Sequence, residues 1–219
     1  MAVDIGEALR YLGAGENPPE DLRCMAEREA AALSAAVRPR YVWRAFDLEK
    51  TAAGIRLVGT DVVLAGRMAS TLLAQCGQAA LLACTLGAAF DTRLRALEAR
   101  DMARAAVLNA CGSALVEEGC DTAEKEISAR FPAMFLTDRF SPGYGDLPLD
   151  VQPALCAALD CGRRLGLQVT KSLLMTPVKS VTAIVGLADR PQMARIRGCG
   201  YCAMRERCQL RKGGKSCGL

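Results

Sequence analysis

The sequence predicts a protein in which helices alternate with strands in the first half, a long helix follows, and further strands come after it. Three observations support this prediction. Apolar residues recur at helical spacing near the amino terminus, aromatic and β-branched runs recur from residue 41 onward, and residues 101–129 contain no proline. At 219 residues the chain is long enough for one sizeable core. We therefore expect a single domain followed by a short tail.

The first two helices are predicted by apolar periodicity and by clear stop signals. Residues 4–12 carry apolar side chains at helical spacing and are followed by a Gly-Ala-Gly sequence. After Pro18 and Pro19, acidic residues open a second helical pattern, which Pro39 stops. Both helices should be amphipathic, with one face directed towards a core.

The following segments predict strands and one helix. Residues 41–48 have aromatic and aliphatic side chains at nearly alternating positions, which is typical of a strand. Apolar residues on both sides of the turn signal Gly59-Thr60-Asp61 predict a hairpin of two further strands. Residues 66–76 predict a helix, and the short apolar run 79–84 predicts a buried strand.

A long helix is predicted between residues 101 and 129, where alanines four residues apart form a stripe that lets another element approach closely. At 1.5 Å per residue this helix would span roughly 40 Å. Gly112 and Gly119 are the points at which it would bend or divide. Residues 153–165 predict one more helix. Residues 168–175 and 178–185 are rich in β-branched and apolar side chains, which predicts strands.

The composition of the chain excludes several functional classes. It has no histidine, which removes the commonest general base and a common metal ligand. The net charge of +4 is not concentrated on a basic helix and does not favour nucleic-acid binding. No apolar run approaches the roughly 18 to 20 residues of a membrane-spanning helix, and the first residues lack the pattern of a secretory signal. We expect a cytoplasmic protein without a nucleic-acid or membrane partner.

Most of the eleven cysteines lie in apolar or alanine-rich runs, as Cys76, Cys84, Cys111 and Cys156 do. In such surroundings a thiol behaves as a small apolar side chain. A cytoplasmic protein also keeps its cysteines reduced. We therefore expect free thiols in these runs.

The cysteine-rich basic tail, residues 193–219, is different, because Cys199, Cys202, Cys208 and Cys217 lie among arginines and lysines. Four thiolates at this density can ligate zinc or an iron–sulfur cluster. The first pair has the spacing of a metal site, whereas the other spacings do not repeat a paired knuckle. A tail without a metal, or with an incidental disulfide, is the alternative.

The loop between the long helix and the last strands has the sequence RFSPGYGDLP, residues 139–148. Its two prolines and two glycines exclude regular secondary structure. We expect such a loop to expose backbone N–H and C=O groups that no strand pairing satisfies, so that a ligand can bind them. Arg139 and Tyr144 bracket this backbone. The alternative is a structural turn in which Arg139 pairs with Asp138 or Asp146.

This loop resembles the R-x-[SA]-P-G-Y signature of the activation domain of cobalamin-dependent methionine synthase. Four further segments resemble the free-standing bacterial members of that family, and the similar segments together cover most of residues 5–190. They are LRYLG at 9–13, RPRY at 38–41, TLG at 85–87 and KSLLMTPVKSV at 171–181. The resemblance implies an activation-like domain over residues 1–192. It also implies the fold class, a single α+β domain with a twisted, largely antiparallel sheet flanked by helices, one of them long.

The resemblance further implies a binding site for S-adenosylmethionine. The family pattern places Arg139 on the ligand carboxylate, the backbone of Ser141 on the adenine, and Tyr144 beside the amino-acid part, with Gly143 in the turn between them. These roles suit the side chains, because a guanidinium binds a carboxylate bidentately and an aromatic face favours a sulfonium cation. A loop fixed by proline also loses little entropy when a ligand binds.

Two family features have no certain counterpart in this chain. The aspartate that holds the ligand's ammonium group in the family has three possible counterparts here, Asp4, Asp21 and Asp47. Lys171 stands where the family commonly has a glutamate, so the charge at that position is reversed.

The function implied by the resemblance is reactivation of a cobalamin-dependent methionine synthase. Inactive cob(II)alamin returns to methylcobalamin when it receives one electron and the methyl group of S-adenosylmethionine. The implied partners are a cobalamin-binding methionine synthase subunit and flavodoxin or a similar electron donor, and the chain is then a methyltransferase subunit without activity of its own. Because the reduced cobalt is already a strong nucleophile, no proton transfer is needed and positioning suffices. The alternatives are reactivation of another corrinoid methyltransferase, and a redox or metal-binding accessory role of the C-terminal cysteines.

Overall fold

The structure is a computed structural model that describes residues 1–15 and 17–191. In chain order, the elements of this part of the chain are α1 (Ile5–Tyr11), α2 (Glu20–Ala36), β1 (Arg40–Thr51), β2 (Gly54–Leu57), β3 (Val63–Leu64), α3 (Arg67–Leu72), β4 (Cys76–Thr85), α4 (Ala88–Glu98), α5 (Met102–Arg130), β5 (Phe135–Leu136), α6 (Gln152–Ala158), α7 (Cys161–Leu165), β6 (Gln168–Val169), β7 (Met175–Thr176) and β8 (Ser180–Ala188). A 3-10 turn at Leu149–Val151 leads directly into α6.

The strands form a six-stranded sheet in the order β3-β2-β1-β4-β8-β5, and β6 pairs with β7 in a separate two-stranded ladder. The pairs β1–β2, β2–β3 and β5–β8 are antiparallel. The predicted α+β fold, with a mostly antiparallel sheet flanked by helices and including one long helix, is therefore confirmed. Within the described residues, no helix has both the length and the apolar character needed to cross a membrane.

The chain forms two compact units, and β1, β4 and β8 contribute residues to both. Among the described residues, unit 1 comprises residues 1–43, 82–126 and 159–181, and unit 2 comprises residues 44–81, 127–158 and 182–191. The core of unit 1 is built from α1, α2, α4, α5 and the second half of β4. Its fully buried large side chains are Leu33, Leu82, Phe90, Leu108 and Leu115.

The predicted long helix is observed as α5, and of the two expected effects of Gly112 and Gly119, a bend or a division, division does not occur. Both glycines are sites of close packing within unit 1. A Cβ atom on Gly112 would lie 2.3 Å from Cζ of Phe90, and one on Gly119 would lie 2.6 Å from Sγ of Cys84. Glycine stands at these positions because a neighbouring side chain occupies the space of a Cβ atom.

Two predicted helices differ from those observed. The segment 66–76 contains only the six-residue helix α3, and Cys76 already begins β4. The segment 153–165 forms two helices, α6 and α7, because Asp160 adopts a left-handed conformation with φ 54° between them. A non-glycine residue in that conformation cannot continue a right-handed helix.

The predicted strand over residues 168–175 is mostly a turn. Only its ends pair, as β6 and β7. Between them Leu173 has φ 63°, and the Leu174 N–H donates to Oγ1 of Thr170 over 3.1 Å. Helix α4 and the short strand β5 are additional to the elements that the sequence predicts. The first three predicted strands, the buried strand β4 and helices α1, α2 and α5 are confirmed.

The prediction that the cysteines in apolar runs are reduced is confirmed. Cys76, Cys84, Cys111 and Cys156 are buried and form no disulfide.

Candidate functional site

The candidate loop, residues 139–148, belongs to unit 2, and its first residues lie beside strand β8. Phe140 and Ile184 exchange two backbone hydrogen bonds, of 3.0 and 2.8 Å. Just before the loop, the Thr137 N–H donates to the carbonyl of Gly186 over 3.0 Å, and the Gly186 N–H donates to Oγ1 of Thr137 over 2.8 Å. These bonds attach the start of the loop to the sheet.

The rest of the loop is folded by its own backbone. The Tyr144 N–H donates to the carbonyl of Ser141, and the Leu147 N–H donates to the carbonyl of Tyr144, both over 3.1 Å, while the Gly143 N–H donates to the carbonyl of Leu147 over 2.9 Å. The expectation that these groups would be left for a ligand is therefore wrong for the N–H groups of Gly143 and Tyr144. A carbonyl oxygen has two lone pairs, so that of Ser141 keeps one for a further donor.

Glycine is required at two positions of this loop. Gly143 and Gly145 have φ values of 82° and 58°, in the left-handed region that glycine adopts without strain. A Cβ atom on Gly145 would also lie 2.9 Å from Sδ of Met68. The spacing of the two glycines therefore reflects the path of the backbone through two consecutive turns.

Asp146 connects the loop to helix α3. Its carboxylate accepts hydrogen bonds from the backbone N–H groups of Arg67, over 2.7 Å, and Met68, over 3.0 Å. These two hydrogen bonds hold the pKa of Asp146 below its ordinary value, and the bond from Met68 has the larger effect. The carboxylate thus serves as the side-chain cap of α3, whose own N-cap residue, Gly66, has no side chain to offer.

The four predicted ligand-binding residues lie together at the surface of unit 2. Arg139 and Ser141 are half-buried, Gly143 is exposed, and Tyr144 is 42% exposed. Their separate roles towards a ligand stay predictions. Arg139 and Tyr144 flank a backbone that is already folded by its own hydrogen bonds.

A surface groove of about 480 Å³ adjoins the candidate loop at Asp146. Its other lining residues are Thr51, Ala52, Ala53, Gly54, Gly66, Arg67, Ser70 and Thr71. Sequence reasoning missed this groove. No local pattern could have found it, because its walls come from the β1–β2 turn, from α3 and from the loop, which lie far apart in the chain.

The three aspartates considered for a ligand ammonium group have different surroundings. Asp4 caps α1 by accepting a hydrogen bond from the Glu7 N–H, and Asp21 accepts one from the Leu22 N–H. Asp47 accepts a hydrogen bond of 2.7 Å from Nε2 of Gln78. Of the three, Asp47 alone belongs to unit 2 together with the candidate loop.

The segment 171–181, which carries the second long stretch of sequence similarity, belongs to unit 1. The Val178 N–H donates to Oδ2 of Asp91 over 2.8 Å, and Nζ of Lys179 donates to Oγ of Ser113 over 3.1 Å. Burial lowers the pKa of Lys179. Among the described residues, the second carboxylate oxygen of Asp91 is buried without a hydrogen-bond partner. These contacts attach the segment to α4 and α5.

The predicted metal ligands Cys199, Cys202, Cys208 and Cys217 lie outside the described residues. Within residues 1–15 and 17–191, no group of three or more cysteine, aspartate or glutamate side chains is arranged to hold a metal ion. The metal hypothesis for the tail therefore stays a prediction.

Comparison with known proteins identifies the fold. No protein-family model matches the sequence, and no curated protein matches it. Among solved structures, the MetH reactivation domain bound to AdoHcy is similar to this chain, with a TM-score of 0.68 and 15% sequence identity. The similarity covers 98% of this chain and 82% of that one. This chain therefore has the fold of the MetH reactivation domain.

Proposed function

We propose that this chain binds S-adenosylmethionine through the loop 139–148. The main support is the combination of a fold shared with a domain that was solved bound to AdoHcy and a loop that carries the R-x-S-P-G-Y sequence at the surface. AdoHcy is S-adenosylmethionine without its transferable methyl group, so a site for one accommodates most of the other. Neither observation is sufficient alone, since a shared fold does not imply a shared function.

The proposed roles follow the chemistry of each side chain. Arg139 binds the carboxylate of the ligand, because a guanidinium offers two parallel N–H donors. The backbone of Ser141 binds the edge of the adenine, and Tyr144 lies against the amino-acid part, where its ring face attracts the sulfonium charge. Gly143 lets the backbone turn between them. The hydrogen bonds within the loop reduce the conformational entropy that binding would otherwise cost.

The further proposal is that the bound ligand serves the reductive methylation of cob(II)alamin on a partner methionine synthase. S-adenosylmethionine supplies the methyl group, and a flavodoxin-like donor supplies one electron. The chain itself contributes binding and orientation, and the absence of histidine is compatible with this role because no proton has to be transferred. It is then a subunit without turnover of its own.

Isothermal titration calorimetry with S-adenosylmethionine and AdoHcy tests the ligand. We expect saturable binding of both, and a loss of roughly 10- to 100-fold in affinity in Arg139→Ala, as is typical when a charge-assisted hydrogen bond is removed. Arg56→Ala is the matched control, since Arg56 is an exposed arginine of the same unit and pairs with Glu49. Absence of heat from the wild-type protein would refute the proposed ligand.

Reconstitution tests the reaction separately. The chain, S-adenosylmethionine, a one-electron donor and the cobalamin-carrying methionine synthase should together convert cob(II)alamin to methylcobalamin, followed by absorbance. Omission of the chain should abolish the conversion. Conversion with a different corrinoid methyltransferase, but not with methionine synthase, would assign the alternative partner.

A further inference from the structure

A second cavity lies in unit 1 and shares no residue with the candidate loop or its groove. Its volume is about 540 Å³, within the range of roughly 300–1,000 Å³ that is usual for small-molecule sites. It is lined by Asp21, Cys24, Met25, Arg28 and Glu29 of α2 and by Arg104 of α5. The proposed function above makes no use of these residues.

Glu29 fixes one of the arginines in this cavity. Its side chain is 3% exposed, and its two oxygens accept hydrogen bonds from Nη2 of Arg93, over 3.2 Å, and from Nε of Arg104. A buried carboxylate is tolerated only when it is paired in this way. Because Glu29 holds Arg104 through Nε, the guanidinium is set in one orientation before any ligand arrives.

The arginines of the cavity keep donors that the described part of the chain does not use. In residues 1–15 and 17–191, the side chain of Arg104 bonds only through Nε, so that both Nη groups lack a partner. Arg28 has no ion pair or side-chain hydrogen bond in the same residues, and it is exposed. The hydrogen bond that Arg104 donates to Glu29 also raises the pKa of Arg104, so this guanidinium keeps its charge.

The remaining lining sets the chemical class of the ligand. The lining carries two guanidinium groups, of Arg28 and Arg104, and two carboxylates, of Asp21 and Glu29, and the carboxylate of Glu29 is already paired with Arg93 and Arg104. Met25 and Cys24 add an apolar wall.

We propose that this cavity binds a small organic carboxylate with an apolar chain. The carboxylate lies on the guanidinium groups of Arg28 and Arg104, and the chain lies against Cys24 and Met25. Asp21, which is exposed, is available to an amino group, so an α-amino acid with an apolar side chain belongs to the same class.

Three probes that share a branched alkyl chain test the proposal by saturation-transfer NMR on the full chain. Isocaproate carries only the carboxylate, L-leucine carries the carboxylate and an amino group, and isoamylamine carries only the amino group. We expect saturable binding of isocaproate and L-leucine and none of isoamylamine. Tighter binding of L-leucine would assign the site to amino acids, and equal or weaker binding of L-leucine would assign it to simple carboxylates. Isoamylamine that binds as well as isocaproate would overturn the proposal.

Variants then locate the site. Arg28→Gln should weaken isocaproate binding roughly 10-fold or more. Met25→Trp should weaken binding, because the larger side chain occupies part of the space in which the apolar chain of the ligand would lie. Arg163→Gln is the matched control, because it removes an arginine of unit 1 whose side chain is 81% exposed, far from α2 in sequence. Arg139→Ala should bind isocaproate like the wild type, which separates this site from the proposed S-adenosylmethionine site. Absence of saturable isocaproate binding to the wild type, or wild-type affinity in Arg28→Gln, would overturn the proposal.

Discussion

At the scale of single residues, glycines in the long helix are explained by what lies next to them. Gly112 of α5 faces the ring of Phe90, which is fully buried in the core of unit 1. A glycine inside a helix costs roughly 1 kcal/mol relative to alanine. Glycine is nevertheless the better residue here, because the ring of Phe90 occupies the space in which a side chain would lie.

Gly112→Ala should therefore lower the free energy of unfolding by about 1–3 kcal/mol, since overpacking outweighs the better helix propensity of alanine. The measurement is urea unfolding followed by circular dichroism. Gly77→Ala is the control, because nothing lies within 4 Å of a Cβ atom at that position. A Gly112→Ala protein as stable as the wild type would contradict the packing argument.

At the scale of elements, helix α3 depends on a residue remote from it in the chain. It has six residues, no side-chain cap of its own and no acidic residue in its first turn. The carboxylate of Asp146 supplies the missing acceptor for the N–H groups of Arg67 and Met68. The helix and the candidate loop should therefore lose their order together.

Asp146→Ala should lower the melting temperature at neutral pH. The pKa of Asp146 is lower in the folded state than in the unfolded chain, so the ionised carboxylate stabilises the folded state. This stabilisation is fully present above the ordinary aspartate pKa of about 4, and it is lost as the pH falls from there through the folded-state pKa. The difference in melting temperature between the wild type and Asp146→Ala should accordingly shrink below pH 4. Asp150→Ala, which removes an exposed carboxylate nearby, is the control and should melt like the wild type at neutral pH. A pH-independent difference would show that the carboxylate charge is not involved.

At the scale of the whole molecule, each unit contains a buried free thiol. Burial raises the pKa of Cys76 in unit 2 and of Cys111 in unit 1 to about 11. In the unfolded chain both thiols ionise near their ordinary value of about 8.5. The folded state therefore holds these two protons more tightly than the unfolded state does.

The free energy of unfolding should fall as the pH rises through about 9 to 11, because the unfolded chain loses these protons first. Replacement of Cys76 and Cys111 by alanine should make this decline shallower, by about 2 kcal/mol for each thiol across the window. Denaturant titrations at several pH values, in the presence of a reductant, measure both slopes. Equal slopes in the wild type and the double variant would contradict the predicted titration.

Local patterns in the sequence determine much of the fold. Periodicity together with glycine and proline signals predicts α1, α2, the first four strands and the long helix, because these elements depend on their own side chains. The split of residues 153–165 at Asp160 has no such signal, since the left-handed conformation there is not encoded by a glycine. Helix α3 is predicted too long at its C-terminal end, because the chain leaves the helix after Leu72 and strand β4 begins at Cys76.

The two candidate sites also depend partly on local sequence and partly on contacts between remote residues. The sequence by itself located Arg139, Ser141, Gly143 and Tyr144 in one loop, since proline and glycine at fixed spacing exclude regular structure there. Only the tertiary structure decided which backbone groups of that loop bond to each other. It alone also joined Glu29 to Arg93 and Arg104, residues 64 and 75 positions away. The physical reason is that such pairs form only after the chain has folded, so no periodicity in the sequence records them.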